Sequence, residues 1–572
     1  MEKSSRNGRD EWTPEIILSL RENYSLSSFL SDARAGILVS TVAFPLFMTF
    51  AIASGVPPAV GIITCVIAGT LACLFGGAKF QIVGPTGAFA MIVGDIIGKY
   101  GFEGMTCALL MAGIMMIFFG LTKTGDIIRY IPYPVTAGFT AGIGLSIIAA
   151  QLNNFLGIQS TVAPTDFVER LCSCVTDIGS MNFPSFGLAL CSLIFLEVMQ
   201  KYRPDMPRYF FVLAAGTIFS LIFNDGGMAT VGSRFGDVSC RLPDFSIPSA
   251  VFSFSNLKKL FPSAFAVAFL GSIESLLGAV ISDNLSGQKH NSNTELIGQG
   301  IANLGSAFFG GIPATCALGT TSLNVKAGAR TPVAGLINVL CLLLFVLCLG
   351  DFVKVIPMSS LSAMLLSAAW NMASLKKNKY ILSAPKSDSF VFIATTSVTL
   401  LADIVVAVEI GLALSAFLFV KRSVETAATE TFSQTIIGEN NVEVECECVK
   451  IHGHLFFGAV PILQNALKAL PKTGDIVYID MRDVPFVDVT GVKVLREFVI
   501  ETKGRNIQVI IGGLNKRTLK VLKKTDINND LEGHLFEDPL DEESGQRVLS
   551  TVRKFPQNVA NAIFTAFTLL QH

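Results

Sequence analysis

Between residues 36 and 420 the chain returns, run after run, to apolar stretches long enough to cross a lipid bilayer. A helix needs about 20 predominantly apolar residues to span a hydrocarbon layer of roughly 30 Å. Inside that layer no water can satisfy a backbone N–H or C=O, so each run must close its own hydrogen bonds as a helix. The clear runs are 36–55, 59–75, 105–121, 135–152, 186–199, 210–223, 264–281, 332–349, 361–372, 390–401 and 404–420. Weaker ones at 81–97, 297–309 and 312–327 contain Gly, Pro and polar residues and read as broken or buried spans. The total comes to about fourteen spans. The fold class this predicts is a polytopic α-helical membrane protein.

Composition agrees. The chain is 51% hydrophobic and 15% charged, with a mean hydropathy of +0.57. A soluble chain of this size carries far more surface charge. The net charge of −1 supplies no basic field for nucleic acid. Residues 1–22 are polar, with no apolar core or cleavage site, so the first span is expected to insert uncleaved. The cysteines are mostly single residues within apolar runs and read as reduced packing residues. Threading the spans with the N-terminus inside puts roughly twenty Lys and Arg in cytoplasmic segments and about seven outside. That orientation predicts a multi-pass cell-membrane protein, of bacterial inner-membrane type, with both termini cytoplasmic.

After Glu425 the pattern changes. Residues 442–451, 476–481 and 507–511 read as strands, and 459–469, 490–502 and 516–523 as helices. Alternating strands and helices predict a small α/β domain. The expected organisation is a cytoplasmic N-terminal segment 1–30, a membrane domain 31–423, an α/β domain 432–552 and a tail 553–572.

Two broken runs carry the chemistry. One is Val83-Gly-Pro-Thr-Gly-Ala-Phe-Ala-Met-Ile-Val93, and the other is Gly310-Gly-Ile-Pro-Ala-Thr-Cys-Ala-Leu-Gly-Thr-Thr-Ser-Leu-Asn324. Each places Gly and Pro first, then small or hydroxyl residues, then helix. A helix stopped halfway across the membrane offers free N–H groups and about +0.5 of an elementary charge at its N-terminus. Two of them in corresponding places, about 230 residues apart, are what inverted repeats supply for an anion. Glu274, within Phe269-Leu-Gly-Ser-Ile-Glu-Ser-Leu-Leu-Gly-Ala279, is an acid inside a span. Such a residue is functional by default. It reads as the carrier of a coupling proton, with a Na⁺ ligand as the second reading.

These residues resemble the sulfate permease (SulP) family of anion transporters over about residues 20–550. The motifs that carry the resemblance are Val42-Ala-Phe-Pro-Leu-Phe-Met-Thr-Phe-Ala-Ile-Ala-Ser-Gly-Val-Pro-Pro58, Gly84-Pro-Thr-Gly-Ala-Phe89, His290-Asn-Ser-Asn-Thr-Glu-Leu-Ile-Gly-Gln-Gly-Ile-Ala-Asn303 and Ala327-Gly-Ala-Arg-Thr-Pro332. The C-terminal part resembles a STAS domain, similar to anti-sigma-factor antagonists, through Leu455-Phe-Phe-Gly-Ala459 and Asp480-Met-Arg-Asp-Val-Pro-Phe-Val-Asp-Val-Thr-Gly491.

The resemblance implies fourteen segments in a 7+7 inverted repeat, split into a core and a gate that move like an elevator, usually in a homodimer. It implies a substrate site at Phe50, Thr86, Gly87, Ala88, Phe89, Gly319, Thr320 and Thr321, with Glu274 at the position linked to H⁺ or Na⁺ coupling. Many members carry Arg where this chain has Thr320, which weakens the case for a dianion such as sulfate and strengthens that for bicarbonate or chloride. C4-dicarboxylates stay open. Thr490 matches the loop in which the antagonist relatives are phosphorylated. Asp488 and Thr490 are therefore expected as regulatory residues facing a cytoplasmic protein partner, against the plainer reading of a helix cap.

Cys446, Cys448, His452 and His454 share one strand face, too flat to close four ligands around an ion, so no metal is expected. No phosphate loop, catalytic triad or zinc motif is present in the sequence. A transporter with no resident cofactor is expected, not an enzyme. Other functional readings are a Na⁺-coupled bicarbonate symporter, an anion channel or uncoupled exchanger, and a membrane-anchored STAS scaffold.

Overall fold

A computed structural model of the chain describes residues 12–22, 24–125, 132–158, 167–203, 206–223, 227–236, 245, 254–373, 379–381, 383, 386–402, 404–437, 443–470, 476–503, 507–525, 531 and 535–537. The expected tail 553–572 lies outside the described residues. Two compact units divide near residue 413.

The first unit is helical. Helix α1 (Leu26–Ala53) starts where Ser25 Oγ accepts from the N–H of Ser28, a side-chain N-cap. Helix α2 (Pro58–Phe75) follows, with a π-turn at Cys65–Gly69. A short strand β1 (Val83–Gly84) leads into α3 (Gly87–Leu121). Gly101 divides α3 with a φ of 71°, a value glycine adopts without steric cost. Then come α4 (Tyr133–Leu156), α5 (Phe183–Tyr202), α6 (Arg208–Ile222), α7 (Phe254–Ser286) and α8 (Ser292–Phe308). Strand β2 (Thr315–Cys316) leads into α9 (Leu318–Lys326), followed by α10 (Val333–Val353), α11 (Met358–Ala373), α12 (Lys386–Leu401) and α13 (Ile404–Glu425), within which the division falls.

Six of the described helices are long and apolar enough to cross a membrane, and Arg208–Ile222 and Val333–Cys348 are shorter apolar helices. Their outward faces carry exposed Ile114, Phe118, Phe183, Ile218, Leu221, Leu344 and Leu347. In water such a surface would drive aggregation; in lipid it is the solvent-matched face. Helices α1, α2, α3, α7, α8, α9 and α10 pack on one another, α4 packs with α11 and α12, and buried apolar clusters join α1 to α11 and α3 to α4 and α11. Asp32, fully buried near the start of α1, accepts from the N–H groups of Arg330 and Thr331 at 2.6 and 3.1 Å. It also accepts from the hydroxyls of Thr331 and Tyr24 at 2.6 and 3.0 Å. One carboxylate thereby ties α1 to the chain leaving α9.

The second unit holds a five-stranded sheet in the order β3 (Ala428–Ile437), β4 (Glu443–His452), β5 (Ile476–Asp480), β6 (Gln508–Leu514), β7 (Leu535–Glu537). The β3–β4 pair is antiparallel and the remaining pairs are parallel. Helices α14 (Val460–Ala469), α15 (Val489–Lys503) and α16 (Lys516–Thr525) make the crossovers that parallel strands require. Val449, Ile451, Val477, Ile479, Val509 and Ile511 alternate toward a core completed by Leu463, Leu495 and Leu522. The three strands and three helices read from sequence are all present. The outer strands β3 and β7 were not foreseen. Strand β3 is Ala-Thr-Glu-Thr-Phe-Ser-Gln-Thr-Ile-Ile, an edge strand whose mostly polar side chains hide it from a hydrophobicity reading.

Candidate functional site

The two broken runs come together. Strands β1 and β2 pair antiparallel, Val83 opposite Cys316 and Gly84 opposite Thr315. Each pairs for only two residues before its chain turns into a helix. The antiparallel pairing makes the two chains run in opposite senses, so α3 and α9 leave the junction with their N-termini on a shared centre. Pro85, which cannot donate a ladder hydrogen bond, helps to end β1 and begin the turn.

Neither helix is capped by its own N-cap side chain: the Thr86 hydroxyl makes no cap bond to α3, and Ala317 at the head of α9 has no polar side chain to offer. The first four N–H groups of a helix have no intrahelical acceptor. The two helix ends therefore present backbone donors and partial positive charge toward whatever occupies the centre.

Thr86 is buried and its hydroxyl donates instead to Glu274 Oε2 on α7, at 3.1 Å. Gly87, Ala88 and Phe89 form the first turn of α3, all buried. A Cβ on Gly87 would stand 2.9 Å from Met372 Sδ and 3.2 Å from the Phe50 ring, so Phe50 of α1 and Met372 of α11 border this helix end. Gly319 has nothing within 4 Å of where its Cβ would stand. It opens onto free space. Thr320 and Thr321 are buried, and their hydroxyls are occupied: Thr320 Oγ1 donates to the Ala317 carbonyl at 3.0 Å, and Thr321 Oγ1 accepts from the Ile82 N–H at 3.0 Å. Thr321 thus joins α9 to the residue just before β1. The structure places Thr86 on Glu274 and Phe50 beside Gly87 at the head of α3, and ties that segment to the head of α9, which carries Gly319, Thr320 and Thr321, through β1, β2 and the Thr321–Ile82 bond; both threonine hydroxyls have internal partners.

The sequence reading missed the polar shell under this centre. Gln81 Nε2 donates to the Ser275 carbonyl at 2.6 Å, next to Glu274. Ser275 Oγ lies 2.7 Å from Thr315 Oγ1 of β2. Gln299 and Glu295 of α8 sit beneath, both buried. The signal was in the sequence: Glu295 and Gln299 are four residues apart, on one helix face, at the edge of a weak span.

In the second unit, Asp488 Oδ1 accepts from the N–H of Gly491 at 2.8 Å, and its Oδ2 accepts from that of Phe457 at 3.0 Å. It caps α15 and binds the neighbouring loop. Thr490 is exposed on the first turn of α15. His452 Nδ1 lies 3.0 Å from Asp483 Oδ2, and the hydrogen bond from Lys450 at 3.1 Å holds the Asp483 carboxyl below the usual carboxylate range. Cys448 is buried, and the Cys446 side chain lies outside what is described. Among the described residues no group of three or more His, Cys, Asp or Glu is arranged to hold a metal ion.

Residues 29–395 match the sulfate permease family, and residues 440–541 match the STAS domain. The chain belongs to the sulfate permease family. Among its relatives is the candidate sulfate transporter YvdB of Bacillus subtilis, 37% identical over 92% of this chain and 99% of that protein. The bicarbonate transporter BicA of Picosynechococcus is 26% identical over 86% of this chain and 90% of BicA. Among solved structures, the murine Slc26a9 anion transporter in its inward-facing state superposes with a TM-score of 0.82 at 17% identity, covering 96% of each chain. At that identity the likeness speaks for the fold alone. Family and fold together make this a membrane-embedded, multi-pass protein with a C-terminal STAS domain.

Proposed function

We propose that this chain is a secondary active transporter of small anions, coupled to protons through Glu274. The observation that carries the reading is the pair of uncapped helix N-termini meeting across β1 and β2, with a carboxylic acid hydrogen-bonded to Thr86 beside them. Two helix ends supply about one positive charge in total. That is enough to attract an anion stripped of water without a fixed cation at either helix end among the described residues. Glu274, when charged, opposes the anion; when protonated, it does not. The pair of states lets anion and proton move together.

The substrates that fit this donor set are bicarbonate, chloride, sulfate and C4-dicarboxylates, and Thr320 in place of an Arg favours the monovalent ones. Relatives named for sulfate and for bicarbonate support those two substrates. In this reading fourteen spans form two inverted repeats. The helices packed around α1 and α3 carry the site as a core and move, elevator-like, against a gate that includes α4, α11 and α12. Both termini face the cytoplasm, the assembly is a homodimer, and Thr490 on the STAS domain meets a regulatory protein.

The test is uptake of labelled bicarbonate, chloride, sulfate and fumarate into proteoliposomes, with and without pH and Na⁺ gradients. Uptake driven by an inward proton gradient is expected for the wild type, with loss of gradient drive in Glu274→Gln. Gradient-driven uptake that survives Glu274→Gln would remove Glu274 from coupling. Drive by Na⁺ alone would replace the proton.

A further inference from the structure

A second buried acid lies below the site, and the mechanism above leaves it unused. Glu295 is 2% exposed, in the first turn of α8. Its Oε2 accepts from the N–H groups of Gly77 and Ala78 at 2.9 and 3.0 Å. Its Oε1 accepts from Gln299 Nε2 at 2.9 Å. Backbone and amide donors hold the group in place, with an electrostatic contribution from His290. The turn it grips has little freedom to shift. A Cβ on Gly76 would stand 2.9 Å from Oε2, and one on Gly77 would stand 2.8 Å from the Glu295 backbone nitrogen.

The bonds continue upward. Gln299 Nε2 also donates to Gln81 Oε1 at 3.1 Å, and Gln81 Nε2 donates to the Ser275 carbonyl at 2.6 Å. Gln81 stands two residues before β1, and Ser275 adjoins Glu274. One acid therefore fixes the turn at 76–78, the approach to β1 and the backbone of α7 next to Glu274. Those are the pieces whose relative position sets the 3.1 Å bond from Thr86 to Glu274. Amides orient groups but do not relay protons, so the chain Glu295–Gln299–Gln81–Ser275 is a brace.

We propose that Glu295 is a positioning residue of the anion site, holding the first half-helix in register with Glu274 through Gln299 and Gln81. The inference rests on the transport reading given above. Its test is initial-rate uptake by Glu295→Gln and Gln81→Met in proteoliposomes, per unit of folded protein, together with melting temperatures. A site misplaced by a fraction of an ångström loses on the order of tenfold. Both variants are therefore expected to raise KM about tenfold for the best-transported anion. In a Glu274→Gln background neither should further reduce the gradient-driven component. Gln81→Met cuts the brace while leaving the donors of Gly77 and Ala78 covered, so it decides the matter if Glu295→Gln does not fold. A wild-type KM in Gln81→Met, or in a folded Glu295→Gln, overturns the proposal, even if melting temperatures fall. Wild-type vesicles that take up none of the four anions overturn the transport reading and this proposal with it.

Discussion

Thr321→Val separates two roles that a family resemblance merges. The resemblance implies that Thr321 binds substrate; the structure has its hydroxyl accept from the N–H of Ile82, with Cys316 Sγ 3.3 Å away. Thr321 is fully buried. Valine has nearly the same shape, so the substitution opens no cavity. What it removes is the acceptor for a buried backbone donor, and leaving such a group unpaired costs about 1–3 kcal/mol. At 1.4 kcal/mol per factor of ten, that is roughly five- to 150-fold in the folding equilibrium of the membrane unit. The melting temperature should fall by a few degrees at most, since about 1 kcal/mol moves a large domain by only a few degrees. Thr321→Ser keeps the acceptor and should behave as wild type. The assay pairs thermal unfolding of purified full-length protein with anion uptake. The reasoning fails if Thr321→Val melts with the wild type while its KM rises tenfold or more, because that is the signature of a hydroxyl that touches the anion.

Gly319 gives the complementary case: a methyl there meets open space, so Gly319→Ala should leave the melting temperature unchanged while uptake KM rises severalfold, as expected if the space belongs to the anion. Asp32→Ala strips four donors of their shared acceptor; at about 1–3 kcal/mol for each group left buried and unpaired, the membrane unit should be severely destabilised, seen as loss of a monodisperse peak in detergent. Asp488→Ala removes the cap of α15 and should cost the STAS domain about 1 kcal/mol, read as a lower midpoint for its unfolding in the full-length chain, with uptake by the membrane unit unchanged. Lys450→Met releases the Asp483 carboxyl from the bond that keeps it charged. The depressed folded value means the stabilisation is present above the unfolded carboxylate range and lost as pH falls through the folded value, so wild type and variant should differ near pH 7 and converge once the Asp483 carboxyl is protonated.

Much of this protein is written in one dimension. Burial in lipid forces every apolar run to be a helix, so the helices could be read from length and composition alone, and the change of texture after Glu425 marked the α/β domain. The two interrupted runs were also legible, because Pro and Gly break a helix wherever they stand together. Strands β3 and β7 were not. An edge strand is made by the neighbour it pairs with, and mostly polar residues such as those of β3 carry little pattern of their own.

Only the tertiary structure decided how the pieces use their polar groups. That β1 and β2 pair, that Thr86 spends its hydroxyl on Glu274 and Thr321 spends its own on Ile82, and that Glu295 reaches back 217 and 218 residues to Ala78 and Gly77 are long-range choices. A sequence names which residues can donate and accept. In a buried, water-free interior nearly all such groups find a partner, and which one is fixed only when the helices have packed.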